Sequence, residues 1–126
     1  MFTNAPHVLL IEDDLIVQKV HSIMLKCLGC YVEIAGTGQQ AVAQATDQCD
    51  LILMDLGLPD LSGYEVTTQI RQKLQKKTIP IIVLTAFIIS EVKDKCLATG
   101  ANGIFNKPLT KDNLKKILQD HLLNGG

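Results

Sequence analysis

The chain has 126 residues, of which 47% are hydrophobic and 20% charged; this length and composition predict one globular domain and exclude a disordered chain. The formal net charge of −1 gives no general attraction for polyanions, so we expect no direct contact with nucleic acid. The apolar stretches are too short to cross a membrane, and segment 1–7 lacks the basic and apolar regions of a signal peptide. These features predict a cytoplasmic protein without membrane contact.

Segments with strand and helix patterns alternate five times along the chain. The strands are short apolar or alternating runs, and several helices begin at typical N-cap residues or capping boxes. In chain order we predict a strand at 8–11, a helix ending at Gly29, a strand at 31–35, a helix from Thr37 to about Ala45, a strand at 51–54, a helix from Ser62 to about Leu74, a strand at 79–84, a helix at 91–99 capped by Ser90, a strand at 103–105 and a helix capped by Thr110.

Five strand–helix units without long insertions predict a parallel sheet that is covered by helices on both faces. The expected fold class is α/β: a flavodoxin-like, doubly wound, five-stranded parallel sheet of order 2-1-3-4-5 with five helices. We expect a single domain over 1–126 with its core at about 7–123, and a frayed end at 124–126.

The four cysteines include a pair, Cys27 and Cys30, with the C-x-x-C spacing of some redox and zinc sites. No second Cys/His pair with zinc spacing follows, and Gly29 lies between the two as the predicted end of a helix. We therefore favour free thiols in a reducing compartment over a functional C-x-x-C motif.

Polar side chains follow four of the predicted strands, at the point where each strand ends. Because the carboxyl ends of parallel strands meet at one edge of the sheet, where open α/β folds bind ligands, we expect these side chains to lie together. They are the acidic run Glu12, Asp13 and Asp14, then Asp55, Thr85 and Lys107. Carboxylates, a hydroxyl and a lysine at such an edge suit a divalent cation and a phosphoryl group.

The carboxylates Glu12, Asp13 and Asp55 would repel one another, and Mg²⁺ with its preference for oxygen ligands would relieve that repulsion. The competing interpretation is an exposed acidic loop in which Asp13 or Asp14 caps the next helix. An aspartate placed as Asp55 can attack phosphorus and form an acyl phosphate.

Thr85 could donate its hydroxyl to the phosphoryl group, and Lys107 could bring positive charge to it. The competing interpretations are a β-branched residue at a strand end for Thr85 and a surface lysine for Lys107. Pro108 follows Lys107 and could adopt the cis form in a tight turn.

Over nearly its full length the chain resembles response-regulator receiver domains of two-component signalling. The motifs that carry the resemblance are Leu10–Asp14, Leu53–Pro59 followed by Gly63, Leu84–Ala86 and Asn106–Pro108. The segments 63–65 and 96–100 further resemble receivers that are joined to hybrid histidine kinases.

The resemblance implies a phosphoacceptor domain that is not an enzyme but assists its own phosphorylation and dephosphorylation and changes partner binding. It implies that Asp55 is phosphorylated by a phosphohistidine on a histidine kinase or a histidine-phosphotransfer domain. Asp13 would bind Mg²⁺ directly, Glu12 through water and Gly57 through its carbonyl. Thr85 and Lys107 would hold the phosphoryl group.

Two departures from the family pattern stand out. The position three residues before Lys107, usually an aromatic residue that couples to the threonine, is Ile104, and Phe105 should face the other side of its strand. Gly57 stands where receivers often have a larger side chain. Beyond these, we expect the apolar segment 87–89 to pack under the next helix, with a partner-binding patch as the alternative.

Two other functions compete with the phosphoacceptor. A Mg²⁺-dependent phosphatase with an aspartyl nucleophile usually has a second aspartate two residues after the first, but that residue is Gly57 here. A receiver-like module that only binds proteins would not need the complete set of strand-end residues.

Overall fold

The computed structural model describes residues 4–123, and its five parallel strands form one sheet. The strands are β1 His7–Ile11, β2 Tyr31–Ala35, β3 Leu51–Asp55, β4 Ile81–Thr85 and β5 Gly103–Asn106. The strand order is β2-β1-β3-β4-β5, which confirms the predicted doubly wound topology. The prediction placed the start of β4 two residues too early, at Ile79; Pro80, which has no N–H to donate to a ladder, precedes the observed start. The predicted frayed end at 124–126 lies outside the described residues.

A helix follows every strand. The helices are α1 Leu15–Cys27, α2 Gly38–Gln44, α3 Gly63–Lys73, α4 Ile89–Ala98 and α5 Lys111–Leu118, which continues into a π-helical turn at Gln119–Leu123. The predicted caps Thr37, Ser62 and Thr110 each accept a hydrogen bond from a first-turn N–H group of their helix. None of the helices within residues 4–123 is long and apolar enough to span a membrane.

The predicted start of α4 was wrong. The helix begins at Ile89 rather than Glu91, and its N-cap is Ile88, which has no side-chain capping bond, instead of Ser90. The preceding loop explains the shift: the Phe87 N–H donates to Thr85 Oγ1 at 2.9 Å, and Asn106 Nδ2 donates to the Phe87 carbonyl at 3.0 Å. These bonds fix the chain just before Ile88, so the helix starts directly after it.

The sheet is buried on both faces. β1 shows this clearly, because Leu9 and Ile11 pack with residues of α2 and α3, whereas Val8 and Leu10 pack with residues of α1 and α5. Helix α5 contributes its fully buried residues Leu114, Ile117 and Leu118 to the second cluster, with Leu122 of the π-helical turn partly buried against it.

The last strand divides its two apolar residues between different clusters, as expected. Phe105 packs against the cluster shared with α1 and α5, and Ile104 packs against a small third cluster. That cluster has Leu56, Val83, Cys96 and Ala101 as its buried members, with Tyr64 and Val92 partly buried. An aliphatic side chain therefore occupies the position where receivers usually carry an aromatic one.

The four cysteines are free, as predicted. Cys27 is exposed while Cys30 is buried, so the C-x-x-C spacing does not give the two thiols a common environment. Burial raises the pKa of the Cys30 thiol to about 11, which keeps it protonated at neutral pH.

Candidate phosphoacceptor site

The carboxyl ends of four strands bring the predicted site residues together. Glu12 directly follows β1, Asp55 ends β3, Thr85 ends β4 and Lys107 directly follows β5. The Lys107 ammonium lies 3.0 Å from Glu12 Oε1 and 3.1 Å from Asp55 Oδ2. One lysine thus contacts two carboxylates that come from different strands. The structure therefore excludes the competing interpretation of Lys107 as a solvated surface lysine.

An acidic cluster lies around this lysine. Glu12, Asp13 and Asp55 each place one carboxylate oxygen so that all three oxygens lie within 4.8 Å of one another. Glu12 and Asp55 are buried and Asp13 is exposed, so the cluster opens to solvent on one side. Asp14 does not join it: its carboxylate caps α1 by accepting hydrogen bonds from Ile16 and Val17 at 2.9 and 3.0 Å. The expected helix cap and the expected acidic cluster are therefore both present, on different residues.

The charges of this cluster are only partly balanced. Burial and, to a smaller extent, the Asp55 charge together raise the pKa of Glu12 to about 7, against the opposing effects of hydrogen bonds from Lys107 and from the Asp14 N–H. Burial alone would lower the pKa of Lys107, but its bonds to Glu12 and Asp55 and their charges raise it overall. The cluster has three carboxylates and one ammonium, which contacts two of them. Oxygen donors with excess negative charge are what Mg²⁺ prefers.

The loop after β3 keeps the approach to Asp55 open. The Gly57 N–H donates to Asp55 Oδ1 at 3.1 Å, and Gly57 itself is exposed. A Cβ added at Gly57 would meet no atom closer than Asp55 Oδ1, at 3.9 Å. The structure thus confirms open space where many receivers carry a larger side chain.

Asp60 anchors the same loop, and the sequence analysis gave it no role. Its carboxylate accepts hydrogen bonds from the N–H groups of Gly38 and Gln39 at 2.7 and 3.0 Å, which ties the loop to the start of α2. These bonds hold the pKa of the exposed Asp60 carboxyl below its usual value. The sequence gives little indication of this role, because Asp60 is one acidic residue in a Gly/Pro loop and its two partners lie 22 and 21 positions away.

Thr85 is fully buried at the end of β4. Its Oγ1 accepts a hydrogen bond from the Phe87 N–H at 2.9 Å, which leaves the hydroxyl hydrogen free to be donated toward the site. Ala86, next to it, is exposed and small. The strand end therefore offers one buried hydroxyl donor beside a small exposed residue.

The loop that follows Thr85 is exposed and apolar. Phe87 and Ile88 are 60% and 64% exposed, and only Ile89 is half-buried. The expectation that this segment packs under the next helix was wrong, because Ile88 serves as the cap of α4 and leaves its side chain in solvent. A second exposed apolar group flanks the site where α1 begins: Leu15 and Ile16 are 77% and 76% exposed.

Comparison of the sequence with models of known families identifies one class of protein. Residues 8–119 match the model of the response regulator receiver domain. The chain belongs to this family, and it is a receiver domain of a two-component phosphorelay. That class accounts for the strand order as well as for the acidic edge of the sheet.

Among curated relatives, the chain is 36% identical over 120 residues to the transcription factor SKN7 of Chaetomium thermophilum, covering 93% of this chain and 15% of that protein. It is 31% identical over 125 residues to the hybrid signal transduction histidine kinase L of Dictyostelium discoideum, covering 94% of this chain and 7% of that protein. The chain therefore spans a small fraction of the length of these relatives.

Two solved structures are similar over nearly the whole chain. The receiver domain of the sensor histidine kinase PA1611 of Pseudomonas aeruginosa, which has a magnesium ion in its active-site cleft, is 39% identical with a TM-score of 0.84, covering 93% of this chain and 97% of that one. The receiver domain of Ssk1 of Saccharomyces cerevisiae was solved in complex with the histidine phosphotransfer protein Ypd1; that match has 30% identity and a TM-score of 0.83 and covers 96% and 91% of the two chains.

Proposed function

We propose that this receiver domain accepts a phosphoryl group from a phosphohistidine onto Asp55 in a Mg²⁺-dependent reaction, and that the modification changes which partners it binds. The observation that carries the proposal is the position of the Lys107 ammonium, 3.0 and 3.1 Å from carboxylate oxygens of Glu12 and Asp55. A cation held beside a partly exposed acidic cluster suits the transfer of a charged group to one of those carboxylates.

The proposed reaction is a displacement at phosphorus. A carboxylate oxygen of Asp55 attacks the phosphorus atom, the P–N bond of the phosphohistidine breaks, and its electron pair remains on the imidazole nitrogen, which takes a proton from solvent. The products are an acyl phosphate on Asp55 and a neutral histidine. Lys107 would neutralise one phosphoryl oxygen, and the free hydroxyl hydrogen of Thr85 would bond to another.

The acidic cluster fits Mg²⁺ in number and type of donor. Glu12, Asp13 and Asp55 supply three carboxylates, and the exposed Gly57 could add its carbonyl as a further oxygen ligand. In the proposed roles Asp13 binds the ion directly, Glu12 through water and Gly57 through its carbonyl. When bound, Mg²⁺ supplies positive charge to the phosphoryl oxygens. The magnesium in the similar PA1611 receiver supports this assignment.

The domain acts in signalling, and we propose that it does not turn over phosphomonoesters as an enzyme. Gly57 supports this, because an aspartyl phosphatase needs an acid at that position and glycine has no side chain to supply one. We further propose that 1–126 forms a single receiver domain with its core at about 7–123. It would act in the cytoplasm without direct contact with nucleic acid or membrane.

The direct test is incubation with Mg²⁺ and acetyl phosphate, followed by intact-mass spectrometry. We expect one phosphoryl adduct in the wild type, none in Asp55→Asn, and a rate lowered by about 100-fold in Lys107→Ala. Gln72→Ala, an exposed position on α3, is the matched control. An adduct that persists in Asp55→Asn, or sustained turnover of an added phosphomonoester, would contradict the proposal.

The donor would be a histidine kinase or a histidine-phosphotransfer domain, and the exposed start of α1 supports a protein docking there. Leu15 and Ile16 directly follow the acidic run, so a partner that brings a phosphohistidine to Asp55 would cover them. Large exposed apolar side chains beside a site are typical of protein contacts. The complex of the similar Ssk1 receiver with Ypd1 shows that such a partner can bind a receiver.

Two donors of different size test this docking surface. Ile16→Glu should slow phosphoryl transfer from a phosphorylated histidine-phosphotransfer protein such as Ypd1 by about tenfold or more, and leave the rate with acetyl phosphate unchanged. Tyr31→Glu is the control, because Tyr31 is also exposed but begins β2 at the amino end of the sheet, away from the site. Equal losses with both donors would argue against docking at α1.

A further inference from the structure

A histidine is buried in α1 beside the segment that carries Lys107. The side chain of His21 has no exposed surface, and its Nε2 accepts a hydrogen bond from the backbone N–H of Leu109 at 3.1 Å. An accepting Nε2 carries no proton, so the neutral ring holds its hydrogen on Nδ1. That nitrogen is buried and has no hydrogen-bond partner among the described residues.

The bond from Leu109 fixes one end of a short segment. The other end is fixed by the Lys107 N–H, which donates to the Thr85 carbonyl at 2.9 Å. Pro108 lies between them and has no N–H of its own. Both backbone donors of segment 107–109 are therefore bonded, one to the strand that bears Thr85 and one to His21.

The segment held in this way carries the ammonium that reaches Glu12 and Asp55. Leu109 is buried in the core cluster shared by α1 and α5, so its N–H could find no water if His21 did not accept it. Desolvation by burial, together with the nearby positive charge of Lys107, lowers the pKa of His21, which favours the neutral ring that can accept this bond.

We infer that His21 is a positioning residue for phosphoryl transfer, which fixes the backbone of Leu109 and through it the place of the Lys107 ammonium. The inference rests on the proposed phosphoacceptance at Asp55. His21 does not contact the reacting atoms; it acts on the group that does. A displacement of such a group by about 1 Å can slow a reaction by up to about 100-fold.

The first test replaces the acceptor and restores it. His21→Leu introduces an apolar side chain of similar volume that cannot accept the hydrogen bond from Leu109, and we expect phosphorylation by acetyl phosphate with Mg²⁺ to slow by about tenfold or more. His21→Gln offers an amide oxygen in place of Nε2 and should recover most of the rate. Leu25→Ala, at another buried position of α1, controls for lost packing. Each rate is measured at a temperature where circular dichroism shows the variant folded.

The second test separates positioning from general stability. If His21 acts through Lys107, then His21→Leu should have no further effect on the phosphorylation rate once Lys107→Ala is present, because the group to be positioned is gone. Multiplicative losses in the double variant, a normal rate in His21→Leu, or an equal loss in Leu25→Ala would each overturn the inference. If His21→Leu does not fold, His21→Phe enters the same cycle.

The wild type provides a measurement that needs no variant. The bond between the Leu109 N–H and His21 Nε2 should give a scalar coupling between the two nitrogens in NMR, and its absence would overturn the inference. Failure of the wild type to take up a phosphoryl group would instead refute the proposed function. If the wild type is phosphorylated but the double-variant effects are multiplicative, only the role of His21 is lost.

Discussion

At the scale of single residues, the site depends on one cation shared by two buried carboxylates. Lys107 bonds to Glu12 and Asp55 at 3.0 and 3.1 Å, and Glu12 also accepts the Asp14 N–H at 3.1 Å. Even so, burial leaves the pKa of Glu12 at about 7. The free domain therefore holds a buried carboxyl whose raised pKa favours protonation, and a divalent cation bound beside it would favour the ionised form.

The first prediction concerns the titration of Glu12. Carbon-13 NMR of the glutamate carboxyl groups, assigned with Glu12→Gln, should show a pKa near 7 for Glu12 in metal-free protein instead of the usual 4.5. Added Mg²⁺ should lower this pKa, because a nearby cation favours the ionised form. A pKa near 4.5 without metal, or no change with Mg²⁺, would contradict the prediction.

The raised pKa of Glu12 also determines how the stability of the fold changes with pH. A folded-state pKa above the unfolded value means that ionised Glu12 weakens the fold, so its contribution to the free energy of unfolding should rise as the pH falls from 7 toward 4.5. The difference between wild type and Glu12→Gln in urea denaturation isolates this contribution from that of His21, whose lowered pKa acts in the opposite direction.

Sequence reasoning found the residues whose position follows from strand order alone. Glu12, Asp55 and Lys107 end or follow predicted strands, and parallel strands place their carboxyl ends at one edge. It missed Asp60 and His21, because each bonds to backbone N–H groups that no sequence pattern identifies. The partner of His21 is 88 positions away.

At the scale of elements, the start of a helix can be predicted from the sequence where a side chain caps it, and cannot where none does. Asp14, Thr37, Ser62 and Thr110 all cap their helices through side-chain oxygens, and such residues can be recognised in the sequence. α4 starts at a cap that cannot be recognised in the sequence, because the Ile88 side chain accepts no hydrogen bond. Ile88 is also 64% exposed, so neither helix capping nor core packing explains an isoleucine at this position.

The second prediction concerns the stability that α4 lacks because no side chain caps its first turn. Ile88→Asp should raise the free energy of unfolding by about 1 kcal/mol. An aspartate at the N-cap accepts hydrogen bonds from first-turn N–H groups, and its negative charge interacts favourably with the helix dipole. Thr110→Ala, which removes the observed cap of α5, should lower it by about the same amount. Urea denaturation of both variants gives the comparison, and no gain for Ile88→Asp would show that the cap position is already satisfied.

At the scale of the whole molecule, one side chain links several elements at the end of the sheet opposite the candidate site. Arg71 of α3 donates to the carbonyls of Ile79 and Gly100 and to Asn102 Oδ1, at distances from 2.6 to 3.0 Å. Asn102 in turn bonds to the backbone of Ile81 at the start of β4. Arg71 thus joins α3 to the starts of β4 and β5, while the candidate site lies at the other ends of the same strands.

The third prediction follows from this separation. Arg71→Gln should lower the free energy of unfolding by about 2 to 3 kcal/mol, because several bonds from a charged donor to half-buried carbonyls are lost together. The phosphorylation rate with acetyl phosphate should not change at a temperature where the variant is folded, since the site lies at the far edge of the sheet. Gln72→Ala, the exposed neighbour on α3, should leave both quantities unaltered. A variant that keeps full stability would show that the Arg71 bonds only replace equivalent bonds to water, and a slowed rate would show that the two ends of the sheet are coupled.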